Sequence, residues 1–164
     1  SIAIISNTLN LKANITHQRD KNALKALEKY CSLPKSWIEK YYSDTTKSIE
    51  KDPYQALIQD KKNIQLNDKK FSIGQLELWS VKELFKQHNM VNIAEKALAQ
   101  KDNFWFLNMP CISENKNYFM TTSKATQKLL EKYCHAMFEN NIGIANRLFL
   151  RKEIIHLLNQ KDEN

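Results

Sequence analysis

Glycine is the residue that most constrains what this chain can fold into, because only Gly74 and Gly143 occur among its 164 residues. A β-sandwich or barrel of this length needs many tight turns, and most of those turns require glycine. Long runs bearing lysine, leucine and glutamate favour helices instead. We therefore predict an all-α fold, a compact bundle of about six to seven helices, forming a single domain over residues 1–164. Because Ser1 is not an initiator methionine, we expect that domain to be excised from a longer protein.

Capping residues and apolar residues at helical spacing place the predicted helices. Asp20, Pro34 and Asp52 are predicted to begin three helices in the first part of the chain. Ser72 is predicted to begin a helix over residues 73–88. Apolar side chains lie on most sides of that helix, which places it at the centre of the bundle. The other predicted segments are a loop over residues 63–71 and helices over residues 90–100, 123–140 and 144–160.

No residue pattern in the chain matches a catalytic motif. Cys134 and His135 are neighbours, but successive residues on a helix point about 100° apart and cannot form a nucleophile–base pair. Three cysteines without a CxxC spacing exclude a disulfide scaffold or a structural zinc site and favour a reducing compartment. Cys31 and Cys134 lie on apolar helical stripes and are predicted to be buried thiols. We predict that the chain is not an enzyme and uses no catalytic residue, metal or cofactor.

An apolar segment with three consecutive aromatic residues lies between two predicted helices. It has neither helical nor alternating spacing, so we predict a loop with large apolar groups on every side. Tryptophan and phenylalanine at an exposed loop tip are suited to the interfacial zone of a membrane. The alternative is that the loop folds inward and covers the core. The residues predicted to insert into a membrane are Phe104, Trp105, Phe106, Leu107 and Met109.

Positive charge and a helix start after the aromatic segment predict an anion site. The chain carries a net charge of +7, which favours encounter with polyanions such as phospholipid surfaces or nucleic acid. Hydroxyls, a lysine and free backbone N–H groups converge at the positive end of a predicted helix. Arginine adds a bidentate phosphate ligand. The residues predicted to bind a phosphate-bearing headgroup are Lys116, Thr122, Ser123, Lys124, His135 and Arg147.

With the aromatic segment at 104–112 and the polar helix start at 121–124, the chain resembles the phosphatidylinositol 4-phosphate-binding C-terminal domain of Legionella secreted effectors. The resemblance implies a domain that targets a bacterial effector to phosphoinositide-bearing membranes, with an anionic lipid as its partner. It also implies that Lys61 and Lys62 belong to the headgroup pocket. The implied location is the host cytoplasm at membranes, and the bacterial cytoplasm is the alternative.

Two other classes of function stay open. An adaptor domain would use Phe104 to Ile112 as the hydrophobic hot spot for a protein partner, a role that tryptophan commonly fills. A nucleic-acid-binding domain is less favoured, because the chain has three arginines and only a faint recognition-helix pattern.

Overall fold

The protein is a mixed α/β domain built around one six-stranded sheet. The structure, a computed structural model, describes residues 2–14, 16–31, 34 and 36–160. The prediction of an all-α bundle is therefore wrong. In chain order, the elements of the described residues are α1 (Ile2–Thr8), α2 (Gln18–Cys31), α3 (Trp37–Lys51), α4 (Pro53–Asp60), β1 (Lys62–Leu66), β2 (Lys69–Gln75), α5 (Lys82–Gln87), α6 (Met90–Leu98), β3 (Phe104–Cys111), β4 (Lys116–Met120), α7 (Lys124–Cys134), β5 (Met137–Glu139), β6 (Ile142–Ala145) and α8 (Arg151–Asn159).

The six strands lie in the order β1-β2-β3-β4-β6-β5. Only the central pair β2 and β3 is parallel, and the other pairs are antiparallel. Helices α5 and α6 form the crossover that joins these two parallel strands. Parallel strands need such a crossover, whereas antiparallel strands can be joined by a short turn.

Asparagine and aspartate form the tight turns between strands that the scarcity of glycine was expected to exclude. The β1–β2 turn places Asn67 and Asp68 at φ 46° and 63°, the β3–β4 turn places Asn115 at 53°, and the β5–β6 turn places Asn140 at 56°. These side chains tolerate the left-handed region because they form local hydrogen bonds with the backbone. Neither glycine has a positive φ. Counting glycines alone therefore underestimates how many hairpins this sequence can form.

Two central strands account for the wrong predictions in the middle of the chain. The predicted helix at 73–88 is the end of β2, a connecting segment and α5, and the predicted aromatic loop is β3. The middle of each strand is buried on both faces, and in β3 the apolar residues Phe104 to Leu107 are therefore consecutive rather than alternating. Such a run resembles either a buried helix or an irregular loop when only its spacing is considered. The predicted loop at 63–71 is likewise the β1–β2 hairpin.

Helices cover both faces of the central strands. On one face α4 and α6 bury Leu57 and Leu98 against Trp105 and Leu107. Gly74 on β2 allows α4 to approach closely, because a Cβ at this position would collide with the side chain of Leu57. Each fully buried side chain of this size contributes about 1.5–3 kcal/mol. Of the residues predicted to insert into a membrane, Phe104 is half-buried and Trp105, Phe106, Leu107 and Met109 are buried in the protein interior.

Helices α7 and α8 cover the other face, where they pack on Phe71, Ile73, Phe106 and Phe119. The predicted helix at 144–160 begins only at Arg151, because the residues before it form β6 and an extended segment. None of the described helices has both the length and the apolar character needed to span a bilayer.

Helix α1 packs at one end of the sheet through a third apolar cluster that includes Ile5, Leu9, Tyr42 and Leu148. The hydroxyl of Tyr42 on α3 donates to the carbonyl oxygen of Ile5 at 3.0 Å. This contact joins α1 to α3, and Ser6 of α1 donates to Glu77 just beyond the end of β2. The polar residue that follows Ile5 consequently lies beside the carboxyl end of that strand.

Candidate functional site

A polar cavity of about 200 Å³ lies at the carboxyl end of β2. Ligand sites in α/β sheets favour this edge, because loops and helix starts converge there. Lys62 reaches the cavity because β1 is antiparallel to β2 and pairs Lys62 with Ile73. The polar residues that line the cavity include Ser6 of α1, Lys62 of β1, Gln75 and Glu77 of β2 and the segment after it, and Arg151 and Lys152 of α8.

An ion pair joins the start of α8 to the end of α4 beside this cavity. The Nη1 atom of Arg151 lies 2.7 Å from Oδ2 of Asp60 and also donates to the carbonyl oxygen of Asp60 at 3.0 Å. The Arg151 side chain is 12% exposed and that of Asp60 36%. Charge-assisted hydrogen bonds of this kind contribute about 1.5–3 kcal/mol each when partly shielded from water. Arg151 thus fixes the wall of the cavity.

Gln75 connects the walls of the cavity through its whole side chain. Its Oε1 accepts from the backbone N–H of Arg151 at 2.6 Å and from Nδ2 of Asn108 at 3.0 Å. Its Nε2 donates to Oε1 of Glu77 at 3.1 Å. The residue before α8, Leu150, makes no side-chain cap, so Gln75 supplies the cap from β2. The position of α8 therefore depends on a strand residue far away in sequence.

Two buried asparagines hold the segment that leads into α8. Asn117 accepts from the backbone N–H of Phe149 at 3.0 Å, and Asn108 donates to the carbonyl oxygen of Phe149 at 2.9 Å. Asn117 also donates to Asn108 at 2.7 Å. Both asparagines are fully buried. A satisfied buried amide network of this kind favours one arrangement of the backbone.

Glu77 is the acidic residue that lines the cavity. Ser6 donates to its Oε2 at 3.2 Å, while its other oxygen accepts from Gln75. Burial raises the pKa of Glu77 from its ordinary value of 4.5 to about 7, and the nearby carboxylate of Asp60 acts in the same direction. The two hydrogen bonds and Arg151 lower the pKa and only partly offset the burial. The carboxyl group therefore changes charge near neutral pH.

Two lysines give the cavity its free positive charge. Lys62 and Lys152 are exposed, and neither ammonium group has an ion-pair or hydrogen-bond partner among the described residues. The start of α8 also lines the cavity and adds the positive end of the helix dipole. Unpaired ammonium groups beside a helix start favour a small anion.

A second, larger cavity of about 710 Å³ is mostly apolar and lies at the β5–β6 end of the sheet. Its walls include Phe85, Val91 and Tyr118, and Met137 on its rim is 79% exposed. Tyr118 donates to Glu114 at 2.6 Å, and burial raises the pKa of the Tyr118 hydroxyl. This cavity lacks the converging charges of the polar one.

The predicted polar helix start forms as expected but faces other partners. Ser123 caps α7 by accepting a backbone N–H of the first turn. Thr122 donates to Oε1 of Glu95 at 2.8 Å, and the Nζ atom of Lys124 donates to Gln127 at 3.0 Å. These groups are thus engaged within the protein.

The other predicted headgroup residues are dispersed over the molecule. Lys61 donates to the carbonyl oxygen of Ala97 at 3.3 Å, Lys116 begins β4, and His135 ends α7 beside the apolar cavity. Of the eight residues predicted to bind a headgroup, Lys62 alone lines the polar cavity.

The two arginines near the end of the chain do not converge either. Arg147 pairs with Glu153 at 2.8 Å and stacks over the ring of Phe149. Arg151, in contrast, lines the polar cavity and binds Asp60 at the end of α4. Two features of the sequence nevertheless pointed to this site. Glu77 is the only charged residue between positions 71 and 81, and Arg151 is followed directly by Lys152.

The thiol predictions can be compared with the structure at one of their two positions. Cys134 is buried as predicted, and burial raises its pKa to about 12. The side chain of Cys31 lies outside the described residues. Among the described residues, no group of three or more histidine, cysteine, aspartate or glutamate side chains could hold a metal ion.

Comparison with known proteins identifies the fold. No family model matches the sequence, and no curated protein matches it. The structure is similar to the crystal structure of a candidate family II inorganic pyrophosphatase from Methanococcus jannaschii, with a TM-score of 0.75 and 21% sequence identity. The match covers 96% of this chain and 54% of the other, so the chain spans about half the length of that protein. At this identity the likeness establishes the fold.

The shared α/β fold corrects the functional predictions. The resemblance to the Legionella lipid-binding domain is wrong, because the six-stranded sheet and its structural neighbour belong to a different fold. Membrane targeting as a helical domain is wrong for the same reason. The adaptor alternative has no support either, since its proposed hot spot is the buried strand β3. The structural neighbour is a candidate enzyme, but at this identity it shows only the fold, and the prediction that the chain is not an enzyme stays a prediction. The predicted location and partner classes stay predictions.

Proposed function

We propose that this chain binds a small phosphate-containing anion, with inorganic pyrophosphate as the first candidate, in the polar cavity at the carboxyl end of β2. The observation that carries the proposal is a pair of ammonium groups without partners among the described residues, those of Lys62 on β1 and Lys152 at the start of α8, which line one cavity. Lysine acts as a point charge toward phosphate and does not need the geometry of a bidentate ligand.

The size of the cavity supports a small ligand. Pockets for drug-sized molecules occupy about 300–1,000 Å³ and are predominantly apolar. The polar cavity measures about 200 Å³ and is lined by several charged side chains. A compact, multiply charged anion fits this combination of volume and charge better than a nucleoside or a lipid chain.

The likeness to a candidate inorganic pyrophosphatase supports the choice of anion. It also makes phosphoanhydride hydrolysis the reaction to assay. In this proposal the residues of the cavity bind and orient the anion. Release of phosphate from pyrophosphate is the corresponding measurement of activity.

Isothermal titration calorimetry with pyrophosphate tests the proposed site. Lys62→Gln and Lys152→Gln each remove one positive charge from the cavity, and we expect each to weaken binding by about tenfold or more, which corresponds to about 1.4 kcal/mol. Lys86→Gln on α5 is the matched control, because it removes an equally exposed charge that does not line the cavity. We expect this control to bind pyrophosphate within about twofold of the natural chain, since it leaves the cavity unchanged.

Equal affinities for all three variants would contradict the proposed site. A general attraction between a protein of net charge +7 and an anion would weaken similarly on removal of any lysine. Loss of affinity confined to the two cavity variants is therefore the required result.

A further inference from the structure

Glu77 lies where a bound anion would meet a negative charge. Its carboxyl group lines the same cavity as Lys62 and Lys152. It is held from two sides, by the hydroxyl of Ser6 at 3.2 Å and by the amide of Gln75 at 3.1 Å. These contacts fix the carboxyl group in the wall, so it does not simply turn away when a ligand enters.

Charged and titratable groups surround Glu77 from each element packed against it. Asp60 at the end of α4 and Tyr42 of α3 interact with it electrostatically, and Arg151 of α8 opposes Asp60. With Lys62 and Lys152, three cations stand against two carboxylates around the cavity. Protonation of Glu77 leaves three cations against one carboxylate, which favours an anion more strongly.

We propose that Glu77 is the proton switch of the anion site: it takes up a proton when a phosphate-containing anion binds and releases that proton when the anion leaves. The inference rests on the proposed function, since it concerns the same cavity. Among the described residues that line the cavity, Glu77 is the only carboxylate.

The direction of the pH dependence follows from the ionisation of the empty site. The pKa of Glu77 is raised to about 7 by burial, so the carboxyl group loses its proton as the pH rises through neutrality. Above that pH the anion must bind together with a proton. Linkage then weakens the affinity by up to about tenfold for each further pH unit.

The test is calorimetric titration of pyrophosphate at several pH values between 6 and 8.5, in buffers with different ionisation enthalpies. The dependence of the heat on the buffer gives the number of protons taken up per anion. Glu77→Gln is the informative variant, because its amide oxygen can accept from Gln75 while its NH2 group donates to Ser6. Glu83→Gln on α5 is the matched control, since it makes the same change outside the cavity.

Phosphate groups also titrate near neutral pH. The role of Glu77 is therefore judged from the difference in proton uptake between the natural chain and its variants. Sulfate, which stays fully ionised in this range, serves as a second probe. We expect the natural chain and Glu83→Gln to take up as much as about one proton per anion more than Glu77→Gln at pH 8. The affinity of Glu77→Gln should be correspondingly less dependent on pH with both anions.

Three outcomes are distinct. Extra proton uptake that disappears only in Glu77→Gln supports the switch. Binding with equal proton uptake by all three proteins overturns the switch and leaves the proposed anion site standing. Absence of binding to either anion at every pH overturns the proposed function, and the switch with it.

Discussion

Asn117 on β4 accepts a hydrogen bond from the backbone N–H of Phe149, 3.0 Å away, although the two residues are 32 positions apart. Phe149 belongs to no strand in the described structure, yet its N–H and carbonyl groups are both paired by buried asparagine side chains. The side chains of Asn117 and Asn108 thus make the backbone hydrogen bonds that a neighbouring strand would otherwise make. They hold the chain in the position from which α8 can begin at the polar cavity.

Removing this amide should destabilise the whole domain. Asn117→Ala leaves the N–H of Phe149 and one oxygen of Asn108 buried without partners, and each unsatisfied group costs about 1–3 kcal/mol. We expect the free energy of unfolding in urea to fall by about 2–4 kcal/mol. Asn63→Ala on the exposed edge strand β1 should change it by less than about 0.5 kcal/mol. Similar values for the two variants would show that the amide network contributes little.

The ion pair between Asp60 and Arg151 should appear as a coupling energy. We expect a double-mutant cycle with Asp60→Asn and Arg151→Met to give about 1.5–3 kcal/mol, because the pair is partly buried and bidentate. The pair between Lys40 and Asp44 is fully exposed on α3 and serves as the reference. Its coupling should be much smaller, because water screens an exposed pair. Equal couplings would argue against a special role for Arg151 in fixing the cavity wall.

A substitution at Trp105 distinguishes a buried strand at this position from the exposed membrane loop that the sequence predicted. Its side chain is 4% exposed and packs between β3 and the helices on one face. Trp105→Ala should lower the free energy of unfolding by about 3–5 kcal/mol through lost burial and the cavity left behind. Met137→Ala, which removes an exposed apolar side chain on β5, should cost less than about 0.5 kcal/mol. Thermal and urea unfolding of both variants provide the comparison, and an unchanged melting temperature for Trp105→Ala would place this residue at the surface after all.

The raised pKa of Glu77 should also be visible in stability without any ligand. Between pH 4.5 and about 7 the folded protein holds a proton that the unfolded chain has lost. The folded state therefore binds more protons in this window, and the free energy of unfolding falls as the pH rises through it. We expect the natural chain to lose on the order of 2–3 kcal/mol relative to Glu77→Gln between pH 5 and pH 8. Parallel stability curves for the two proteins would mean that Glu77 titrates at its ordinary pKa.

Several local features could be predicted from the sequence because short-range chemistry determines them. Asp52 followed by Pro53 begins α4, where the side chain of Asp52 accepts from the N–H of Gln55. Helix α7 begins at Lys124, one residue after the predicted start at Ser123, and Cys134 is buried on its apolar stripe. Capping depends on residues within one turn, so no knowledge of the tertiary structure is needed.

The sheet could not be predicted in the same way, because the residue patterns of its strands are also typical of buried helices and irregular loops. The consecutive apolar residues of β3 follow from helices on both faces, which no local pattern reveals. Asn67, Asn115 and Asn140 form turns that a count of glycines does not predict.

The polar cavity depends on pairing over long distances. Its wall residues Ser6, Lys62, Glu77 and Arg151 meet only after β1, β2 and α8 have assembled. Their chemistry was visible in the sequence, but their proximity was not. The charge pattern predicted the wrong anion site, because the lysine and hydroxyl groups near 121–124 are close in sequence whereas those of the polar cavity are not.

The single parallel pairing in the sheet also bears on the order in which the protein folds. Strands β3 and β4 are joined by a four-residue turn, whereas β2 and β3 are separated by the entire α5–α6 crossover. Closing the longer loop loses more chain entropy before stabilising contacts form. Pairings between strands that are far apart in sequence therefore form slowly. We expect pulsed hydrogen exchange during refolding to protect the β3–β4 amides before those shared by β2 and β3. Since the anion cavity is built on the end of β2, binding competence should be among the last properties a newly made chain acquires. Earlier protection of the amides shared by β2 and β3 than of the β3–β4 amides would contradict this order.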